Sequence, residues 1–374
     1  MKLGDVLEKI VGGGTPSKNN DEFWNGNIPW ASVKDIDEGQ VFLSSTEDTI
    51  TEEGVNNSST NIISKGTVII PTRMGLGRCV INTIDTAINQ DLKALYPKKD
   101  KLDSKFLLYW LKNNSRLIET MGSGTTVKGI RVEQLTGMNF KEQNLYIQQK
   151  IAKILSNYDD LIENNNKRIK ILEEMAQKIY KEWFVDFKYP GHETATCKET
   201  ELGKIVMPKK GKNITKATIK EGNIPVVAGG LEPAYYHNTS NTEAPVITVS
   251  ASGANAGYVK LYYENIWASD CSYIDNKMTP YVYYFYSYLK HNQVSVTNLQ
   301  KGAAQPHVYP QDLATLKITD INENVIKKFN LIVAPLFEGI RNIILKNKLL
   351  KQTRDMLLPR LMSGEINVDE LEIQ

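Results

Sequence analysis

The 374-residue chain has few cysteines and histidines. Its three cysteines, Cys79, Cys197 and Cys271, lie far apart without a CxxC pair, so neither a disulfide framework nor a structural zinc is expected. Its four histidines, His192, His237, His291 and His307, include no pair at metal-ligand spacing. No apolar run approaches the roughly 20 residues of a membrane span, and the N-terminus MKLGDVLEKI lacks the apolar core of a secretory signal. A soluble protein of a reducing cytoplasm, with no membrane contact, is the expectation. One sign of charge is not in excess either: 45 Lys+Arg stand against 43 Asp+Glu, a net charge of +2, which excludes a polybasic DNA coat.

Catalytic signatures are equally sparse. The GxxxxGK(S/T) phosphate loop is missing, and the segment nearest to it, Gly122-Ser123-Gly124-Thr125-Thr126-Val127-Lys128-Gly129, lacks the GK(S/T) ending. The Asn/Asp-Pro-Pro-aromatic element that would hold a flipped base is absent, so the chain is not expected to be a methyltransferase. Asp186 and Lys188 form an Asp-x-Lys triplet, but no acidic ligand precedes it in strand context. No catalytic residue, metal ligand or cofactor is therefore assigned to the chain.

What is present is a repeat. A length of 374 is too long for one ordinary domain, and 41% hydrophobic with 9% aromatic residues is enough for more than one core. Leu3-Gly4 and Gly26-Asn27-Ile28-Pro29 return as Leu202-Gly203 and Gly222-Asn223-Ile224-Pro225. Trp110-Leu111-Lys112-Asn113-Asn114 then aligns with Tyr288-Leu289-Lys290-His291-Asn292 at an offset of 178. The same offset carries Gly124 onto Gly302, Ile130 onto Val308, Leu135 onto Leu313, Lys150 onto Lys328 and Leu172 onto Leu350. An ordered series in constant register marks a duplicated half-molecule.

Each half opens with strand-like runs among turn residues, such as 67–71, 79–84, 245–250 and 258–263. Each then ends in an amphipathic helix. In the first, Ile147, Ile151, Ile154, Tyr158 and Leu161 follow a 4-3 spacing that resumes at Leu172, Met175 and Ile179, with polar Asn165 and Arg168 at the intervening seam positions. In the second, Val325, Phe329, Ile332, Leu336, Ile343, Leu350 and Leu357 repeat the pattern, and Pro335 predicts a kink or a helix start nearby. A helix over 145–184 would run roughly 60 Å, more than its own domain can cover. The expected fold is therefore α+β: two similar globular domains in pseudo-two-fold arrangement, separated by two long antiparallel helices forming a coiled coil. The expected boundaries are 1–144 for the first domain, 145–189 for the first spacer helix, 190–322 for the second domain, 323–362 for the second helix and 363–374 for a tail.

These features resemble the specificity subunit of type I restriction–modification systems, over essentially the whole chain. The residues that carry the resemblance are Gly13-Gly14-Thr15-Pro16-Ser17 with 23–30, Ile69-Ile70-Pro71-Thr72-Arg73 with 77–80, Ala87-Ile88-Asn89-Gln90-Asp91-Leu92, Gln148-Gln149-Lys150-Ile151-Ala152, and 357–366. The resemblance implies a non-catalytic reader of double-stranded DNA whose two domains each take one half of a bipartite asymmetric site. It also implies helices that set the spacing and dock two methyltransferase subunits, with restriction–translocase subunits joining the core. S-adenosylmethionine, ATP and magnesium would then belong to those partners. A structural coiled-coil adaptor whose globular ends bind protein is the alternative.

Sequence readout needs bidentate donors, with arginine favoured for guanine and Asn or Gln for adenine. Arg73 and Arg78 bracket Gly75 and Gly77, a hairpin that could bring both guanidinium groups to a groove. The matching loop of the second half offers Ser250, Ser252, Asn255 and Tyr258. Lys209, Lys210, Lys212 and Lys216 resemble a phosphate-positioning strip. Ser17, Lys18, Lys34, Lys93, Lys128, Gln305 and His307 complete the DNA-contact candidates, whereas the tyrosines at 281, 283, 284, 286 and 288 are expected to be core. Residues 1–142 carry 17 basic against 18 acidic groups and residues 196–320 carry 12 against 10. Such a neutral reader is expected to bind DNA weakly alone and to rely on partners that complete a basic channel.

Overall fold

The structure, a computed structural model, describes residues 1–124, 128–192, 198–302 and 306–368. It divides into two compact units, Met1–Asn164 with Asn347–Gln374, and Asn165–Lys346.

In the first unit, the β-branched runs pair into two sheets. A five-stranded sheet has the order Leu7–Gly12, Leu92–Pro97, Val68–Pro71, Val80–Asn82, Phe42–Leu43. A four-stranded sheet orders Asp48–Ile50, Trp24–Ala31, Thr86–Ile88, Asn61–Ile63. The strand Val68–Pro71 is buried along its whole length because it is central to its sheet and the apolar helix Ser104–Asn113 covers it. The side chains of 106–111 from that helix join Val68, Ile70 and Leu95 in the main core.

The second unit repeats the plan with smaller sheets. Val246–Ser250 lies between Cys271–Asp275 and Val259–Tyr262, and the helix Val282–His291 packs on them. The parallel pairing Trp30↔Ala87 and Ala31↔Ile88 recurs as Val226↔Trp267 and Val227↔Ala268. Tyr284, Tyr286 and Tyr288 are buried in the core, and Tyr283 stacks on Phe337 with ring centroids 4.6 Å apart, which agrees with the packing role expected for this cluster.

The two long helices are Leu145–Phe184 and Glu323–Ser363. The second does not begin near Pro335: it starts twelve residues earlier and continues through the proline, whose missing N–H sits on an exposed stretch of helix. Within the second unit the helices run antiparallel, with Tyr180 and Trp183 each 6.0 Å from Phe329 by ring centroids and Leu172 facing Gly339. Within the first unit Ile151, Ala152 and Leu155 share a core with Leu357, Leu358, Leu361 and Met362.

The buried seam differs from the predicted one by about one residue. Ile151, Phe329 and Ile343 are buried, and Ile147, Ile154, Tyr158, Leu172, Ile179, Val325, Leu336, Leu350 and Leu357 are half-buried. Leu161, Met175 and Ile332, by contrast, are 46%, 46% and 47% exposed, and Arg168 is exposed as well. Their places are taken by Gln148, Leu155, Asp159, Ile162, Ala176, Val333 and Phe337. Gln148 and Asp159 are buried because the first helix packs on its globular domain as well as on the second helix, through polar contacts that a hydrophobic pattern does not register. Gln148 accepts from the Asp103 N–H at 3.0 Å, and Asp159 accepts from the Tyr109 phenol at 2.5 Å and from Arg354 of the second helix.

Candidate nucleic-acid interface

One loop frame is built twice. In the first unit the backbone of Arg73 is bridged to Gly129, and Gly129 to Ser123. In the second, Ser252 is bridged to His307, and His307 to Lys301. The hydrogen bonds coincide one by one. Thr72 N–H donates to Asp91 O at 2.7 Å and Ala251 N–H to Asp270 O at 3.2 Å; Ile130 N–H donates to Thr72 O at 2.9 Å and Val308 N–H to Ala251 O at 3.0 Å. Ser123 and Gly129 exchange both backbone bonds at 2.9 Å, as Lys301 and His307 do. The loop reaches the frame through a left-handed glycine in each copy, Gly77 and Gly257, both at φ +84°, where an added Cβ would meet backbone at 2.7 and 2.9 Å.

The side chains on this common frame are unlike. In the first unit Arg73, exposed over 68% of its side chain, lies 3.9 Å from the Asp91 carboxylate. Arg73, Gln90, Lys93 and Arg131 line an open hollow of about 850 Å³. Lys93 is tethered to the Gln90 carbonyl at 3.1 Å, and Gln90 accepts from the Thr15 hydroxyl at 2.6 Å. In the second unit the place of Arg73 is held by Ser252, whose hydroxyl donates to Asp270, the counterpart of Asp91. His307 stacks on Tyr309 with centroids 5.8 Å apart and planes 13° apart, and Lys301 pairs with Asp312. Arg131 and Tyr309 are equivalent: each precedes a short helix, and its N–H donates to the side chain three residues on, Gln134 at 3.0 Å and Asp312 at 3.3 Å.

Several candidates fall elsewhere. Arg78 does not share a groove with Arg73: its guanidinium turns inward to the Ile36 carbonyl at 2.9 Å and lines a separate hollow with Lys112 and Arg354. Gly75 and Gly77, both at positive φ, form the turn that leads into it. Ser250 is buried, donating to the Gly229 carbonyl at 2.9 Å, because it ends a central strand. Lys34 is engaged by Asp48 at 2.9 Å and Glu47 at 3.0 Å, and these carboxylates hold its ammonium above the usual lysine range. Asn255 is half-buried and accepts the Tyr258 N–H through its backbone, and Tyr258 is exposed beneath the Lys290 ammonium. Lys209 and Lys210 form an edge strand paired with Tyr273 and Ser272; both, like Lys212 and Lys216, are exposed. Ser17, Lys18 and Lys128 are exposed, and Gln305 lies outside the described residues.

The Gly13-Gly14 motif that looks like a fingerprint is a packing element. A Cβ on Gly13 would stand 1.9 Å from the Ile88 carbonyl oxygen, and the buried Trp30 indole donates to Gly14 O at 3.1 Å. Sequence reasoning passed over Gln90, Arg131 and Tyr309. The offset of 178 held the signal, since it carries Arg131 onto Tyr309, two residues beyond the flagged His307. Among the described residues no group of three or more His, Cys, Asp or Glu is placed to hold a metal, and no helix is long and apolar enough to cross a membrane. Asp186 is ion-paired with Lys181 at 2.8 Å, which holds its carboxyl below the usual range.

The family model for the type I restriction modification DNA specificity domain matches residues 1–174 and again 194–319. The chain belongs to that family, and the doubled match coincides with the doubled loop frame. It is 29% identical, over 99% of this chain and 94% of the relative, to the MjaIX type I restriction enzyme specificity subunit of Methanocaldococcus jannaschii. It is 34% identical, over 52% of this chain and 49% of the relative, to the EcoR124I/EcoR124II specificity subunit of Escherichia coli. The crystal structure of a type I restriction-modification S subunit from M. genitalium shares the fold, with a TM-score of 0.57 and 20% identity over 96% of this chain and 95% of that one. The relative matched over nearly its whole length is thus a type I restriction enzyme specificity subunit.

Proposed function

We propose that the chain supplies the DNA sequence specificity of a type I restriction–modification complex, each domain reading one half of a bipartite asymmetric site in double-stranded DNA. The observation that carries this reading is the duplicated loop frame with different side chains: one scaffold presenting two chemistries suits two different half-sites. The long helices fix the distance between halves and dock two methyltransferase subunits, and restriction–translocase subunits join that core. Exposed apolar side chains on the part of the second helix that belongs to the first unit support the docking role: Leu349 and Met356, spaced 7, are each 64% exposed. S-adenosylmethionine, ATP and magnesium act on the partner subunits. Near-neutral charge leaves the isolated chain a weak DNA binder.

The test is the methylation pattern of DNA modified by the reconstituted complex, read base by base, with and without this chain. Replacing residues 1–144 by the matching segment of a relative should change one half of the methylated motif and leave the other. An adaptor would leave the motif intact and change its bound partner, and tight site-specific binding by the isolated chain at physiological salt would contradict the shared-binding account.

A further inference from the structure

The eight arginines of the chain are unevenly placed: Arg73, Arg78, Arg116 and Arg131 lie in the first domain, Arg168, Arg341, Arg354 and Arg360 in the long helices, and none in 190–322. A bidentate guanidinium is the side chain best matched to guanine O6 and N7, so the second domain lacks that device altogether. In the first domain Arg78 is committed to the Ile36 carbonyl, whereas Arg73 and Arg131 are exposed and line the same open hollow. Asp91 stands 3.9 Å from Arg73 and is itself mostly buried, close enough to attract the guanidinium and too far to take up its hydrogen-bond donors. The equivalent positions of the second domain hold Ser252 and Tyr309, with His307 stacked on Tyr309 and Asp270 still in the place of Asp91.

We infer that Arg73 and Arg131 read guanine in the half-site of the first domain, and that the second domain reads its half-site without a guanidinium, through His307, Tyr309 and Ser252. This rests on the DNA-reading function proposed above and adds the base chemistry of each half. The second platform offers hydroxyl and imidazole hydrogen bonds and an exposed aromatic face, which suit contact with a thymine methyl or mixed donor–acceptor edges rather than bidentate guanine readout.

The experiment uses the complete complex with its methyltransferase subunits and records methylation frequency at every variant of the motif. Arg73→Ala and Arg131→Ala should each relax preference at a guanine of one half by about ten-fold or more and leave the other half unchanged. Arg73→Lys should not restore it, because an ammonium is a point charge without the planar fork. His307→Ala and Tyr309→Ala should alter only the opposite half. Both arginines are exposed, so unchanged thermal melting of the variants separates readout from folding. The inference is overturned if the arginine variants lower methylation evenly across all sequences, change nothing, affect the same half as His307→Ala, or if the half assigned to the first domain by domain exchange contains no guanine. If removing the wild-type chain leaves the motif unaltered, the DNA-reading function itself fails instead.

Discussion

Asp159→Ala tests the polar joint between the two long helices and the first globular domain. The carboxylate is 3% exposed, accepts from the Tyr109 phenol at 2.5 Å and is ion-paired with Arg354. Tyr109 is 1% exposed and the Arg354 side chain 11% exposed. Removing Asp159 leaves the phenol without its acceptor and Arg354 with Asp355, whose side chain is 61% exposed. Breaking a buried pair from one side costs about 3–5 kcal/mol, and the remaining Asp355 contact places this case near the lower end. For a unit of this size about 3 kcal/mol corresponds to a fall in melting temperature of roughly 6–12 °C, readable by scanning calorimetry. Hydrogen exchange should quicken in the helix Ser104–Asn113, which carries Tyr109. The triple variant Tyr109→Phe, Asp159→Leu, Arg354→Met should recover most of the loss, because a well-packed apolar replacement of a buried ion pair is close to neutral. A shift below about 2 °C for Asp159→Ala, or a triple variant no more stable than the single, would refute the joint.

Three further outcomes are expected. Gly13→Ala should destabilise the first domain by about 3 kcal/mol, since its Cβ would lie 1.9 Å from the Ile88 carbonyl; chemical denaturation measures this. Leu349→Glu with Met356→Glu should leave the melting temperature within the equivalent of about 0.5 kcal/mol yet abolish co-purification of the methyltransferase subunit, because both side chains are largely exposed. Burial raises the phenol pKa of Tyr109, Tyr180 and Tyr284 above the ordinary value of 10.0. Their contribution to stability is therefore complete below pH 10.0 and lost as pH rises toward the folded values. The tyrosinate absorbance of these three phenols should accordingly develop in a cooperative step on alkaline unfolding, and a gradual titration of all tyrosines near pH 10.0 in the folded protein would contradict it.

Much of the architecture was legible because duplication writes the same signal twice. The offset of 178 aligned residues that prove to occupy identical backbone bonds, Ser123 with Lys301 and Ile130 with Val308. The long helices were legible as amphipathic runs, but the polar joint was not, because Gln148 and Asp159 are buried and Arg354 half-buried through hydrogen bonds and look like surface residues in a hydrophobic pattern. The Gly13-Gly14 motif was legible as a signature without its cause, a close backbone approach that no spacing rule contains.

Periodicity and repetition are local or translational properties, so the chain by itself determined its duplication, its two long helices, its resemblance and the want of arginine across 190–322. Side-chain direction depends on what neighbouring segments offer. Only the tertiary structure decided that Arg78 turns inward to Ile36 O while Arg73 stays in the open hollow, and that Ser250 is buried while Ser252 meets Asp270. These residues are alike in composition and lie within five positions of each other in sequence. What separates them is whether a carbonyl or a carboxylate from a distant segment lies within hydrogen-bond reach.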